Sequence, residues 1–293
     1  MAAITTAFVQ QFQGNVEHLV QQQGSRLRSA VRLERVTGEK AFFDQLGKFT
    51  VTQSTSRNAD TPLVDGDHAR RMVTPKTYQQ GTLIDDADQV QMLANLDNPY
   101  AEGLSYAIGR QMDLDICAAA VATSSTGKTG SGSESFPSGS EVAVDYADGG
   151  GGSTNTLTLA KVREAKRILD SNEVPSNDRF FATSAYGLMS LLRDTTLTSA
   201  DYNAIKPLVS GELDSFLGFK FIQTEQLTVA SNIRDCLAWQ RNGIVLAEFG
   251  GVNARISERS DKNYSTQVFI EQTFGSTRME GERVVRIKVN ETK

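Results

Sequence analysis

The sequence predicts an α+β protein in which one long helix packs against a sheet formed by the C-terminal strands. Three observations support this: a helical pattern over residues 98–122, short alternating strands after residue 243, and a mixed helix and strand region between them. With 293 residues and 39% hydrophobic side chains, the chain can form one large domain or two modest ones.

The helix predicted over residues 98–122 has well-marked boundaries, with Asn98 as N-cap and Pro99 at the first helical position. Its apolar residues recur every four positions at Tyr100, Leu104, Ile108, Met112, Ile116 and Ala120. Each such step advances the stripe by about 40° around the axis, so the stripe winds. A helix of about 37 Å with a winding apolar face must contact several elements, and we expect it to be a spine that spans a domain.

An amphipathic helix is predicted over residues 4–23, where apolar residues follow steps of three and four and Gly24 provides a stop. Its polar face, rich in glutamine, fits docking on its own core and docking on a neighbouring subunit equally well. Beyond it, short extended pieces are predicted at residues 29–36 and 47–53.

Residues 54–90 form a long polar segment with turn formers and few apolar side chains. Loops of this length are uncommon inside compact domains and are usually functional or disordered. We therefore expect residues 55–85 to contact neighbouring subunits and to add little to the core of their own. The charged candidates for these contacts are Arg57, Asp65, Asp67, Arg70, Arg71, Lys76, Asp85 and Asp86.

The second half of the chain begins with a Gly/Ser-rich surface loop or insertion at residues 123–156. A helix is predicted at 158–171, a strand and helix within 179–194, and a strand in which Leu217, Phe219 and Phe221 alternate. Four successive strands follow at 243–249, 252–259, 264–274 and 282–290, and the long helix is their best partner.

Composition argues against several classes of protein. Thirty Lys and Arg against thirty-five Asp and Glu give a net charge of -5, which disfavours tight nucleic-acid binding. Neither a membrane-spanning run nor a secretory leader is predicted. Cys117 and Cys236 lie in apolar surroundings and are expected to be buried free thiols in a reducing cytosol.

No catalytic, metal or cofactor residue is predicted. ATSSTGKT (122–129) misses the phosphate-binding loop pattern at Ala122, and it follows a helix instead of a strand. His18 and His68 are too few and too distant to form a zinc site with the cysteines. The acidic stretches VDGDH and IDDADQ lack calcium-loop spacing, and no GxSxG elbow occurs.

Several stretches resemble the major capsid proteins of tailed bacteriophages, which have the Hong Kong ninety-seven type capsid fold. HARRMVTPKTYQQGTLIDDADQ (68–89) before a helix ending RQMDLDICAAAVA resembles the extended loop that leads into the spine helix. TLAKVREAKRILDSNEVPSNDRFFATSAYGLMSLLRD (158–194) resembles the start of the axial domain, and GFKFIQTEQL its returning strand. VFIEQTFGSTRMEGERVVRIKV (268–289) resembles the closing strands of the peripheral domain.

The resemblance implies a domain order along the chain. Residues 1–49 would be an N-terminal arm, 50–92 the extended loop, and 93–155 the first part of the peripheral domain with the spine helix and the Gly/Ser-rich insertion. Residues 156–245 would form the mixed α/β axial domain. Residues 246–293 would complete the antiparallel sheet of the peripheral domain.

The resemblance also implies a structural role in the virion and no enzyme activity. Copies made in the cytoplasm of the host bacterium would assemble as hexamers and pentamers into an icosahedral shell. The shell would enclose double-stranded DNA and contact it only weakly and non-specifically. A separate scaffolding protein and a portal are implied partners, decoration proteins are a further class, and no membrane is involved. Some relatives cross-link a Lys to an Asn of a neighbour; Lys76 lies in the corresponding loop, without an identified Asn. An encapsulin-type nanocompartment shell is the alternative function on the same fold, and a P-loop-like nucleotide hydrolase is a remote one.

Overall fold

The computed structural model describes residues 21–53, 56–57, 60, 63, 65–84, 97–148, 154–193 and 215–292. The helices in these ranges are α1 (Asp97–Val121), α2 (Leu159–Ser171) and α3 (Ala185–Leu192). The strands of the first half are β1 (Arg32–Arg35), β2 (Ala41–Leu46), β3 (His68–Val73), β4 (Lys76–Ile84), β5 (Ser124–Thr126), β6 (Gly132–Glu134) and β7 (Glu141–Val142). Those of the second half are β8 (Arg179–Thr183), β9 (Ser215–Phe216), β10 (Phe219–Gln223), β11 (Val229–Ala230), β12 (Ile233–Gln240), β13 (Ile244–Glu248), β14 (Asn253–Arg259), β15 (Ser265–Arg278) and β16 (Val284–Asn290).

The described residues fall into two compact units. The first contains residues 21–25, 77–84, 97–111 and 250–273, and the second contains the other described residues. Helix α1 and strand β15 each run through both units.

The long helix predicted at residues 98–122 is confirmed as α1, which begins at Asp97. The predicted stripe is buried from Ile108 onward through Met112, Ile116 and Ala120, whereas Tyr100 is 41% exposed. The helix also buries polar side chains, and the carboxylate of Asp113 accepts the backbone N–H groups of Arg26 and Leu27 at 3.0 and 3.1 Å. Burial of such a group is tolerated because it is hydrogen-bonded.

In the first unit, β14 and β4 both pair with β15. Ile84 and Val268 form a small core with Ala101 and Leu104 of α1, which confirms the long helix as a partner of the C-terminal strands. The chain before α1 also crosses the helix closely, since a Cβ on Gly109 would lie 2.5 Å from the carbonyl carbon of Gly24.

In the second unit, the largest sheet has the order β7-β16-β12-β8-β10-β9, with β11 paired to β12. Its core includes the fully buried Phe181, Phe219 and Trp239. Helix α2 packs against β16, and the Lys161 side chain is completely buried at this contact. Its ammonium group donates to the carbonyls of Val144, Asn155 and Lys288 at 2.8, 2.8 and 3.0 Å, and burial lowers the pKa of Lys161 to about 8.

Two further sets of strands belong to the second unit. β1 lies parallel to β13, which pairs with the last residues of β15. β2, β3, β5 and β6 form a four-stranded antiparallel sheet in that order. The predicted insertion at 123–156 therefore contributes two strands to this sheet.

Three predictions about strands are corrected. Residues 47–53 are not a strand; the strand lies at 41–46 instead, and it ends before Gly47. Leu217 lies outside the strand, because Leu217 and Gly218 form the turn between β9 and β10 with φ of +53° and +86°. The four predicted C-terminal strands are present but do not share one sheet, since β16 pairs with β12, and its four valine and isoleucine side chains are fully buried.

Cys117 and Cys236 are buried free thiols, as predicted. Burial raises the pKa of each thiol to about 12, so neither is a reactive thiolate near neutral pH. Most of the helix predicted at 4–23 lies outside the described residues, and residues 21–23 are not helical.

Candidate subunit interface

The β2–β3 hairpin carries two of the described candidate contact residues, Arg70 and Arg71, and its two faces differ. One face packs inward: Ala41 and Val73 form a core with Ala247, and the side-chain amide of Gln45 donates to the carbonyl of Met279 at 2.9 Å. The opposite face is exposed and carries Phe42 and Leu46, which are 41% and 58% exposed. The hairpin continues beyond its strands, because Gly47 N–H donates to the carbonyl of Asp67 at 2.7 Å.

Arg70 and Asp44 form an ion pair across the exposed face. They are register partners in adjacent strands, and the guanidinium donates to both carboxylate oxygens at 2.5 and 3.0 Å. The same guanidinium lies 5.6 Å from the centre of the Phe42 ring. The hydrogen bonds from Arg70 lower the pKa of Asp44. The surface therefore presents a prearranged group of Phe, Arg and Asp side chains, and aromatic and arginine residues are enriched at protein interfaces.

Arg71 points into its own subunit. Its side chain is almost fully buried, its Nε donates to the carbonyl of Met279 at 2.7 Å, and its Nη2 lies 2.7 Å from the Glu134 carboxylate. These bonds tie β3 to β6 and to the segment after β15. Arg71 thus fixes the position of the hairpin within the subunit.

Lys76 also makes a contact within the subunit. Its ammonium group lies 2.9 Å from the carboxylate of Asp115, which is buried on α1 and also accepts the Ser276 hydroxyl at 2.9 Å. This contact positions the start of β4 on the long helix.

Of the remaining candidates, three lie between β2 and β3 and two directly follow β4 in the sequence. Arg57, Asp65 and Asp67 are exposed, while Asp85 and Asp86 lie outside the described residues. The expectation that residues 55–85 add little to the core is wrong for β3 and β4, because Val73 and Ile84 are 2% and 5% exposed.

Sequence reasoning missed the apolar residues of this region. Phe49, Val51 and Leu63 are 58%, 99% and 93% exposed, and they lie on the β2–β3 excursion, which is the chain segment 47–67 between these strands. Phe42 and Leu46 of β2 extend this set of exposed apolar side chains. The sequence does indicate them, because they are large apolar residues inside or next to a polar segment. Large apolar side chains that are exposed on one segment make that segment a candidate for contact with another chain.

The near match to a phosphate-binding loop has the wrong local structure. Residues 122–129 leave helix α1, form strand β5 and turn at Gly127 into β6, with Lys128 exposed in the turn. A phosphate-binding loop instead leaves a strand and opens a helix, whose first N–H groups hold the phosphate.

An open groove of about 910 Å³ lies over the four-stranded sheet and is lined in part by Leu46, His68, Arg70 and Lys128. Within the described residues, no group of three acidic, His or Cys side chains could hold a metal ion. None of the helices described is both long and apolar enough to cross a membrane.

Comparisons with known proteins agree with this structure. A sequence model of the phage capsid protein family matches residues 4–291. The structure is similar to the capsid of Ralstonia phage GP4, with a TM-score of 0.74, 11% identity, and 100% and 98% of the two chains covered. The cyanophage P-SCSP1u capsid gives 0.71 with 16% identity, covering 98% and 94%, and Mycobacterium phage Che8 gives 0.70 with 16%, covering 97% and 98%. No curated protein matches the sequence.

The structure has the Hong Kong ninety-seven type capsid fold, which it shares with solved phage capsid proteins. The chain belongs to the phage capsid protein family. It is a major capsid protein, the subunit of an icosahedral phage shell, and the family match favours this over an encapsulin-type nanocompartment.

Proposed function

We propose that copies of this chain assemble as hexamers and pentamers and enclose double-stranded DNA, without a catalytic role. The observation that carries the proposal is the family match over residues 4–291, and it is supported by the β2–β3 excursion, whose described apolar side chains are largely exposed. A scaffolding protein and a portal would act in assembly, decoration proteins could add to the shell, and a net charge of -5 leaves the genome weakly bound. Synthesis would take place in the host cytoplasm.

We further propose that the predicted domain order holds except for β16, which pairs with β12 of the predicted axial segment. We also propose that the β2–β3 excursion contacts neighbouring subunits. Arg57, Asp65 and Asp67 offer exposed charge of both signs, and Phe49, Val51 and Leu63 offer apolar area. Arg70, Arg71 and Lys76 already have partners in their own subunit, so they would shape the contact surface. Asp85 and Asp86 remain candidates from the sequence alone.

Assembly is tested by electron microscopy and light scattering of the purified protein, alone and with its scaffolding protein. Closed shells are expected. A protein that stays monomeric under every condition, with a cooperative melting transition, would contradict the proposal.

The contact surface is tested by shortening the excursion. Residues 48–66 are replaced by Asn-Gly, because the Gly47 and Asp67 backbones are already hydrogen-bonded and such a turn closes an antiparallel hairpin. The shortened subunit should keep its circular dichroism spectrum, while shells fail to form. A control with Asn-Gly inserted between Lys128 and Thr129, in the exposed β5–β6 turn, should still assemble. Normal shells from the shortened chain would refute the assignment of residues 48–66 to the interface.

A further inference from the structure

Strand β14 is an exposed edge of its sheet. Every residue from Asn253 to Glu258 is exposed, and Arg259 is half-buried. One edge of β14 pairs with residues 265–271 of β15, and no strand within the described ranges pairs with the other edge. Such an edge leaves backbone N–H and C=O groups free to pair with another chain.

The apolar face of this sheet ends at β14, where its side chains are exposed. Ile256 and Ala254 are register partners of Val268 and Ile270, so these side chains share one face. Val268 and Ile270 are 1% and 3% exposed, whereas Ile256 is 51% exposed. The core therefore extends to the edge of the sheet, where the described residues leave Ile256 half exposed.

We propose that β14 pairs with β14 of a second copy of this chain, antiparallel and across a two-fold axis at Ile256. The proposal rests on the proposed self-assembly of the chain and adds a defined contact to it. The paired strands would form one continuous sheet across the axis. The two Ile256 side chains would then lie side by side and cover each other.

Charge selects this register among its neighbours. Side chains directly opposite each other in an antiparallel pair lie on the same face of the sheet. A two-fold axis perpendicular to the sheet must therefore pass between one residue of β14 and the same residue of the second copy. An axis at Arg255 would place that arginine opposite its own copy, and an axis at Ser257 would place Arg255 opposite Arg259 of the second copy. Like charges directly opposite each other are destabilising.

An axis at Ile256 removes both conflicts. It places Arg255 opposite Ser257, Arg259 opposite Asn253, and Ala254 opposite Glu258 of the second copy. Charges often protect an edge strand from pairing, but here their spacing permits pairing in a single central register. This complementarity of the strand with itself favours a second copy over an extended segment of another protein.

A single cysteine tests the contact, because only a residue on the axis meets its own copy. Directly opposite residues in an antiparallel pair have Cα atoms about 4.5 to 5.5 Å apart, within disulfide range. Ile256→Cys in the full chain should therefore form disulfide-linked dimers under mild oxidation, in shells or in free subunits. The native cysteines are 2% and 0% exposed and should not interfere.

The matched control is Ala254→Cys, on the same face of the same strand. Its two copies would be about 14 Å apart at 3.4 Å per residue, too far for a disulfide. It should not form dimers alone, but a mixture of the Ala254→Cys and Glu258→Cys chains should cross-link.

The outcomes separate this inference from the proposed function. The β14 contact is overturned if folded Ile256→Cys protein gives no dimer or links only to another polypeptide. It is also overturned if Ile256→Cys dimerises no better than Ala254→Cys. A protein that forms no shells but yields the Ile256→Cys dimer contradicts the proposed function and leaves the contact intact. Shells that form without the dimer overturn the contact alone.

Discussion

Strands β14 and β16 are alike in local sequence and opposite in environment. Each has seven residues with Arg at the third position and Ile at the fourth, NARISER in β14 and VVRIKVN in β16. Ile256 is 51% exposed, whereas Ile287 is fully buried. The difference comes from their neighbours, because β16 lies between β12 and β7 and packs against α2. Among the described strands, β14 pairs on one edge only.

The two arginines follow the same contrast. Arg286 pairs with Glu141 and lies 5.3 Å from the Phe136 ring, so β16 is connected to the segment before β7. Arg255 is exposed on the open edge. A local pattern can therefore specify a strand, but the burial of its side chains depends on what pairs with it.

The largest expected difference in the free energy of unfolding is between the alanine substitutions of Ile287 and Ile256. Ile287→Ala should lower the free energy of unfolding by about 2 to 5 kcal/mol, because it leaves a cavity in a sealed core. Ile256→Ala should cost less than about 1 kcal/mol, since its side chain is half exposed. Urea unfolding of dissociated subunits measures both, and equal losses would contradict the contrast.

The Lys161 side chain should contribute the next largest effect. Lys161→Met keeps the apolar stem but leaves the carbonyls of Val144, Asn155 and Lys288 without this donor. Because buried carbonyl groups would lose their hydrogen-bond donor, the free energy of unfolding should fall by about 2 to 3 kcal/mol. Thermal or urea unfolding measures this loss.

Lys166→Met in the same helix is the matched control. Lys166 is partly exposed and its ion pair with Asp170 should be worth less than about 1 kcal/mol. A similar loss for both substitutions would show that helix α2, and not the buried ammonium contact, is responsible.

Much of the fold follows from the sequence because its strongest periodic signals coincide with real elements. The pattern at 98–122 predicted α1, and the pattern at 158–171 predicted α2, because a buried stripe on a helix leaves a period that short segments lack. Sheet membership could not be predicted for β16. Its alternating residues fit an edge or a central strand, and only its distant partner β12 decides between them.

The candidate interface was harder to predict because charge alone does not show where a side chain points. Arg70 and Arg71 are adjacent in sequence and lie on opposite faces of β3, one on the exposed face and one bonded inside the subunit. Lys76 likewise has its partner on the long helix. The apolar residues Phe49 and Leu63 carried a more direct signal, since they are 58% and 93% exposed in the part of the chain that the structure describes.

Hydrogen exchange compares β14 and β16 without any substitution, and it is the mildest of these tests. In free subunits the amides of β16 should exchange slowly, since strands pair with both of its edges, whereas alternate amides of β14 should exchange fast. If β14 pairs with a second copy, its fast amides should slow on assembly. Mass spectrometry of peptides covering 253–259, with peptides covering 284–290 as an internal reference, measures the change. Exchange in β14 that is equally fast in shells and in free subunits would mean that its edge stays open to water after assembly.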